Sequence, residues 1–130
     1  MLAPQHRVTR GVDYRRISRG ARVGGRLVAV HACLRDDANA PTRFGFIITK
    51  RVGVAVVRNR LRRQLKAICF EALPLLPAGM EFVIRVHPDG AAGDFQTLRT
   101  HCRRQLLAAS EKIRPQAEDC GSCGDEVTNA

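Results

Sequence analysis

The side chains in this sequence that could do chemistry are overwhelmingly cationic. Between Arg43 and Lys66 stand eight basic residues (Arg43, Lys50, Arg51, Arg58, Arg60, Arg62, Arg63 and Lys66) and not one Asp or Glu. A guanidinium forks onto phosphate and stacks on bases, so the chemistry on offer is capture of a polyanion. Groups able to break a covalent bond form no readable set. There is no carboxylate pair and no nucleophile spaced to a base. His31 and His87 lie in strand-like segments and read as sheet-face residues. Cys120-Gly-Ser-Cys123 is a lone CxxC, and a structural zinc site needs four ligands. No catalytic residue and no protein-held metal is therefore assigned.

The charge is also unevenly placed. The 130 residues carry 22 Lys and Arg, 19 of them Arg, against 12 Asp and Glu, a net +10. Residues 115–130 hold Glu118, Asp119, Asp125 and Glu126 with no Lys or Arg, which leaves 22 basic and eight acidic residues, a net +14, in 1–114. The expected organisation is one polyanion-binding domain over 1–114 and an acidic, disordered tail over 115–130. A composition of 45% hydrophobic and 26% charged residues is that of a globular domain. No apolar run nears the roughly 20 residues of a membrane span, and the first 12 residues lack a signal-peptide apolar core. Five cysteines, an odd number, suit a reducing compartment. A cytoplasmic protein, monomeric apart from its polyanion partner, is expected.

Periodicity supplies the elements that must position these groups. A short helix spans about Asp13 to Arg19, ended by Gly20. Three strands follow from alternation: Arg26 to Leu34, Arg43 to Lys50 and Glu81 to His87. In each, one parity is uniformly apolar (Val28, Val30, Ala32; Phe44, Phe46, Ile48; Phe82, Ile84, Val86) and the other is mixed. That pattern predicts a sheet with one helix-covered face and one face open to ligand. Phe44, Phe46 and Phe82 are thus core. Residues 35–42 are turn chemistry, and Asp94 caps a last helix to about Arg114, stopped by Pro115.

The remaining helix, about Ala55 to Leu73, carries the charge. With Arg58 at zero and 100° per residue, Val57, Ile68, Leu61, Ala72 and Leu65 fall between about 260° and 340°. Arg58, Arg62, Lys66, Arg63 and Arg60 fall between about 0° and 200°. Like charges at i,i+4, as in Arg58/Arg62 and Arg62/Lys66, cost a few tenths of a kcal/mol each, a cost that bound phosphate would relieve. Phe70, near 120° on the basic face, has no place in this scheme.

The string Lys50-Arg51-Val52-Gly53, then Arg58-Asn59-Arg60 followed by Arg62, Arg63 and Lys66, resembles the signature of the bacterial ribonuclease P protein component. The resemblance runs from about His6 to Arg114. It takes in Arg7-Val8, Asp13-Tyr14, the strand with Phe44-Gly45-Phe46, and the last helix from Asp94-Phe95 to Leu106. It implies an α/β (α+β) sandwich in the order helix, three strands, helix, strand, helix, with a left-handed crossover. The strand that periodicity leaves out would be short, about Ala21 to Gly25.

Function follows from the same resemblance. The implied role is the protein subunit of ribonuclease P, the endonuclease that removes the 5′ leader of precursor tRNA. The RNA subunit would carry the chemistry with its own Mg2+. Arg51, Arg58, Asn59, Arg60, Arg62, Arg63 and Lys66 would contact that RNA. Tyr14, Ala29, His31, Ile47, Thr49 and Lys50 match positions lining the leader cleft, and Arg85 and His87 share their face. Where relatives often have aromatics, this chain has Ser18 and His31, so weaker stacking on leader bases is expected.

Two other readings compete. A ribosomal protein with a related sandwich would need only the basic helix. A DNA major-groove reader would concentrate a few base-reading side chains near one helix end, unlike cations spread over a flank.

Overall fold

The computed structural model describes residues 2–114, so the acidic tail with Cys120 and Cys123 lies outside the described residues. A single 3-10 turn at Pro4–His6 leads to helix α1, Gly11–Ser18. Strands β1 (Ala21–Val23), β2 (Val28–Leu34) and β3 (Arg43–Ile47) follow, then helix α2 (Ala55–Ala72), strand β4 (Met80–Val86) and helix α3 (Phe95–Ile113). The four strands form one mixed sheet in the order β1-β2-β4-β3. β2 and β4 are antiparallel over seven pairs, from Val28↔Val86 to Leu34↔Met80. β3 runs parallel to β4, from Arg43↔Glu81 to Ile47↔Arg85, with α2 as the crossover between them.

The expected apolar parity is the core. Val28, Val30, Ala32, Phe44, Phe82, Ile84 and Val86 are buried beneath α2 and α3, and the Phe44 and Phe82 rings stack with centroids 5.6 Å apart. Phe46 is only partly buried at its margin. From α2 come Leu61, Leu65, Ile68, Cys69 and Ala72, and from α3 Leu98, Cys102, Leu106 and Ala109. These are the stripes that helical spacing predicts. Asp94 caps α3 by accepting from the Thr97 N–H at 2.9 Å. Buried Gln105 donates to the carbonyls of Val23 and Val28, 3.1 and 2.9 Å away, and so ties both strands of the β1-β2 hairpin to α3.

In the strands expected from alternation, two boundaries differ by more than one residue, each for a physical reason. β2 begins at Val28 rather than Arg26, because Arg26 lies in a bend before it. β3 ends at Ile47, so Thr49 and Lys50 leave the sheet. Its partner β4 has no further donor for it there: the His87 N–H is directed to the Leu27 carbonyl at 2.9 Å on the other side, and Pro88 has no N–H to offer.

The face expected to be open is half covered. Helix α1 lies across it and makes a second small core, in which Val8, Ile17 and Val83 are buried with Tyr14, Cys33 and Ile47 against them. An anchor of charge holds α1 there. Glu81, 1% exposed on β4, accepts from Arg16 at 2.6 Å and from Arg43, with Arg35 at 3.9 Å. Arg16 also reaches Asp13 at 2.9 Å, so both carboxylates share the same arginines.

Candidate nucleic-acid interface

Two surfaces emerge when the candidate residues are placed. The first is the outer face of α2 and the turn before it. Hydrogen bonds from the Val52 N–H to the Thr49 carbonyl (3.0 Å) and from the Gly53 N–H to the Lys50 carbonyl (3.2 Å) close that turn. Lys50 and Arg51 stand exposed at its tip, while Ile48 and Val52 are buried beneath it. On α2, Asn59, Arg60 and Arg63 are exposed and Arg58, Arg62 and Lys66 half-buried. Arg58 Nε donates to the Gly53 carbonyl at 3.1 Å, and Arg62 donates to Asn59 Oδ1 at 3.1 Å. Asn59 thus orients an arginine and fills the gap between two cations.

Among the described residues, every ion pair involves Arg16, Arg26, Arg35, Arg43, Arg99, Arg103 or Arg114. The seven cations Lys50, Arg51, Arg58, Arg60, Arg62, Arg63 and Lys66 have no carboxylate partner there. α2 also starts without a side-chain cap or an acid in its first turn, so its free N–H groups and dipole add to the positive field. The donor set here is guanidinium, ammonium and one amide, which does not suit a hard cation that wants carboxylate oxygens. No group of three or more His, Cys, Asp or Glu among the described residues could hold a metal.

The second surface is the strip of sheet that α1 leaves uncovered. Pairing puts Ala29, Arg85 and Ile47 side by side in one row across β2, β4 and β3, with His31, Val83 and Gly45 in the next. Ala29 is fully buried and can only be floor. Ile47 and His31 are half-exposed and Arg85 is exposed. Tyr14 forms a wall. Its ring lies so close over Gly45 that a Cβ there would sit 2.6 Å from the ring, which is why the strand has glycine at this point. The Tyr14 hydroxyl donates to the Val8 carbonyl and accepts from the Phe46 N–H, both at 3.2 Å. The ring is therefore fixed in place over β3.

His31 pairs across the sheet with Arg22 on β1. Burial, then the nearby positive charges of Arg22 and Arg85, hold its pKa below the ordinary value, opposed only by the Ser18 backbone. It is neutral at pH 7, and its buried Nδ1 has no partner within the described residues. The groove is thus an apolar floor flanked by two arginines, an aromatic ring and a neutral imidazole.

The two predicted sets are adjacent but not separate. Thr49 and Lys50, expected on the groove strand, belong to the turn that carries Arg51, so Lys50 sits with the α2 cations. His87 follows β4 outside the strand. Sequence reasoning missed Arg22 and Glu81. The signal for Glu81 was a carboxylate in Met80–Val86, a strand whose only other charged residue is Arg85, since charges are rarely buried unless paired.

Known proteins resemble this chain in sequence and in fold. The family model described as ribonuclease P matches residues 2–110. The ribonuclease P protein component of Clavibacter michiganensis is 48% identical over 113 residues, covering 87% of this chain and all of that protein. Among solved structures, the RNase P protein of Staphylococcus aureus superposes with a TM-score of 0.73 at 20% identity, covering 80% of this chain and 94% of that one. That of Thermotoga maritima gives 0.66 at 21% identity, covering 82% and 96%. The structural likenesses speak to fold: the same α+β arrangement of a mixed four-stranded sheet and three helices.

Proposed function

This chain belongs to the ribonuclease P protein family, the protein components of a tRNA-processing ribonucleoprotein, and we propose that its two surfaces divide the work of that particle. The outer face of α2, with the Lys50-Arg51 turn, binds the ribonuclease P RNA. The groove between α1 and the exposed strip of sheet binds the single-stranded 5′ leader of precursor tRNA. The RNA carries the cleavage chemistry, and Mg2+ is held by RNA phosphates rather than by side chains of this protein. The setting is the cytoplasm, where tRNA precursors are made, and the protein enters the particle as a monomer.

One observation carries this reading above the others: seven cations lie on one turn and one helix face with no carboxylate partner among the described residues. Self-repulsion of that kind is relieved by a phosphate backbone, whose condensed counterions are released on binding. The groove supports the second half of the reading. A ribosomal RNA-binder would have no use for a glycine that admits Tyr14 to the sheet, or for a neutral imidazole between two arginines. Apolar floor, ring and flanking cations are what a single strand needs, bases stacking while the backbone follows the charge.

Replacing Tyr14 by alanine tests the division. Stacking on an aromatic contributes about 1–3 kcal/mol per base, and the groove has one tyrosine, so precursor tRNA should bind the reconstituted particle about fivefold or more weakly. Mature tRNA, which has no leader, should bind as before. Dissociation constants for both ligands decide it. An equal loss for both would remove the leader from the groove.

A further inference from the structure

One side chain on the outer face of α2 is not a cation. Phe70 is 52% exposed, and it is the only aromatic among the large hydrophobic residues exposed in the described chain; the rest are Val12, Leu34, Val54, Val56 and Leu75. Its neighbour Cys69 takes the inward position and is fully buried, as are Ile68 and Ala72 at 1% exposure or less. Phe70 is therefore turned away from the core. Glu71 binds Arg99 of α3 at 2.6 Å and Arg103 at 3.5 Å, which fixes the last turns of α2 against α3. The phenyl ring is thus held outward on a rigid support.

Its place on the helix is specific. Asn59, Arg63, Lys66 and Phe70 follow at spacings of four, three and four residues, the centre line of the basic face. A phosphate backbone gripped by Arg63 and Lys66 would run directly past the ring. A cationic track with an aromatic set into it is the arrangement by which proteins hold unpaired nucleotides, charge on the backbone and the ring under a base. Paired bases in an A-form helix are out of reach.

We infer that Phe70 is a base-stacking residue that receives one unpaired nucleotide of the RNA subunit, from a loop, bulge or helix end, beside the Arg63 and Lys66 phosphate contacts. The inference rests on the reading that this face of α2 binds the RNA. It gives the interface a component that does not depend on salt.

The test is a salt titration of binding to a bacterial ribonuclease P RNA by four proteins: wild type, Phe70→Ala, Phe70→Leu and the Arg58→Ala/Arg62→Ala double variant. Phe70→Ala should bind roughly five- to 150-fold more weakly with the slope of log affinity against log salt unchanged. Phe70→Leu, similar in apolar area but without a ring face, should recover little of the loss. The chain has no tryptophan, so Phe70→Trp adds a single fluorophore; it should bind like wild type and be quenched by the RNA. If both the Ala and Leu variants bind like wild type while the double arginine variant is weakened, Phe70 does not stack, and the assignment of α2 to RNA stands. If the double arginine variant also binds like wild type, both fail. A sedimentation shift from dimer to monomer on Phe70→Ala would make the ring a protein contact and overturn the inference.

Discussion

Replacing Arg58 and Arg62 together by alanine is expected to weaken binding of the ribonuclease P RNA about a hundredfold at moderate salt. A hydrogen bond to a charged group contributes about 1.5–3 kcal/mol, and two arginines would be lost from one flank of the basic face. The salt slope should fall by about two, one for each phosphate contact. Stability should move little. The double variant loses the Arg58 bond to the Gly53 carbonyl but also the i,i+4 repulsions of Arg58 with Arg62 and of Arg62 with Lys66, each a few tenths of a kcal/mol. Isothermal binding at several salt concentrations, with a thermal melt of the free protein, separates the two effects. A large drop in melting temperature would mean that these arginines hold the fold rather than the RNA.

Glu81 is expected to show the opposite profile. Removing its carboxylate leaves Arg16 and Arg43 without their shared partner and cuts the tie between α1 and β4. A fully buried pair broken this way costs about 3–5 kcal/mol. Here Arg16 and Arg43 remain 47% and 21% exposed, so about 2–3 kcal/mol is expected for Glu81→Ala, with a melting temperature roughly 10 °C lower. Because α1 carries Tyr14, leader binding should suffer more than RNA-subunit binding. The pH dependence has a definite sign. Burial alone would raise the Glu81 pKa, but hydrogen bonds and charge from Arg16 and Arg43 outweigh it and hold the carboxyl below its ordinary value. Asp13 is lowered too, chiefly by the Arg16 hydrogen bond. For groups depressed on folding, the stabilisation is complete above the unfolded carboxylate pKa, about 4, and is lost as the pH falls through the folded values. Wild type should therefore lose stability below about pH 4, and Glu81→Gln should flatten that acid limb. An unchanged limb would show that the cluster contributes nothing to folding.

Much of this was written locally in the chain. Alternation at Val28, Val30 and Ala32, and at Phe82, Ile84 and Val86, identifies the core face of the sheet. The spacing of Leu61, Leu65, Ile68 and Ala72 identifies the inner side of α2, and with it the outer basic face. What periodicity could not supply is non-local. Nothing in Ala21–Val23, three residues with an arginine in the middle, marks a strand until β2 pairs with it. The insertion of β4 between β2 and β3 is a tertiary choice, and it places Arg85 between Ala29 and Ile47. Coverage of the mixed face by α1 likewise depends on Arg16 and Arg43 finding Glu81, 65 and 38 residues away in sequence. The placement of Thr49 and Lys50 shifted for the same reason, since β3 stops where β4 has no further N–H to offer it.

The central claim is that this protein completes a ribonuclease P particle, and the direct test is cleavage. Precursor tRNA is incubated with a bacterial ribonuclease P RNA at low magnesium, where RNA phosphates are poorly screened, with and without the protein. The account predicts that the protein stimulates removal of the 5′ leader, and that the Arg58→Ala/Arg62→Ala variant, although folded, does so only at much higher protein concentration. Absence of stimulation by the wild-type protein, alongside tight and salt-sensitive binding to ribosomal RNA, would contradict it.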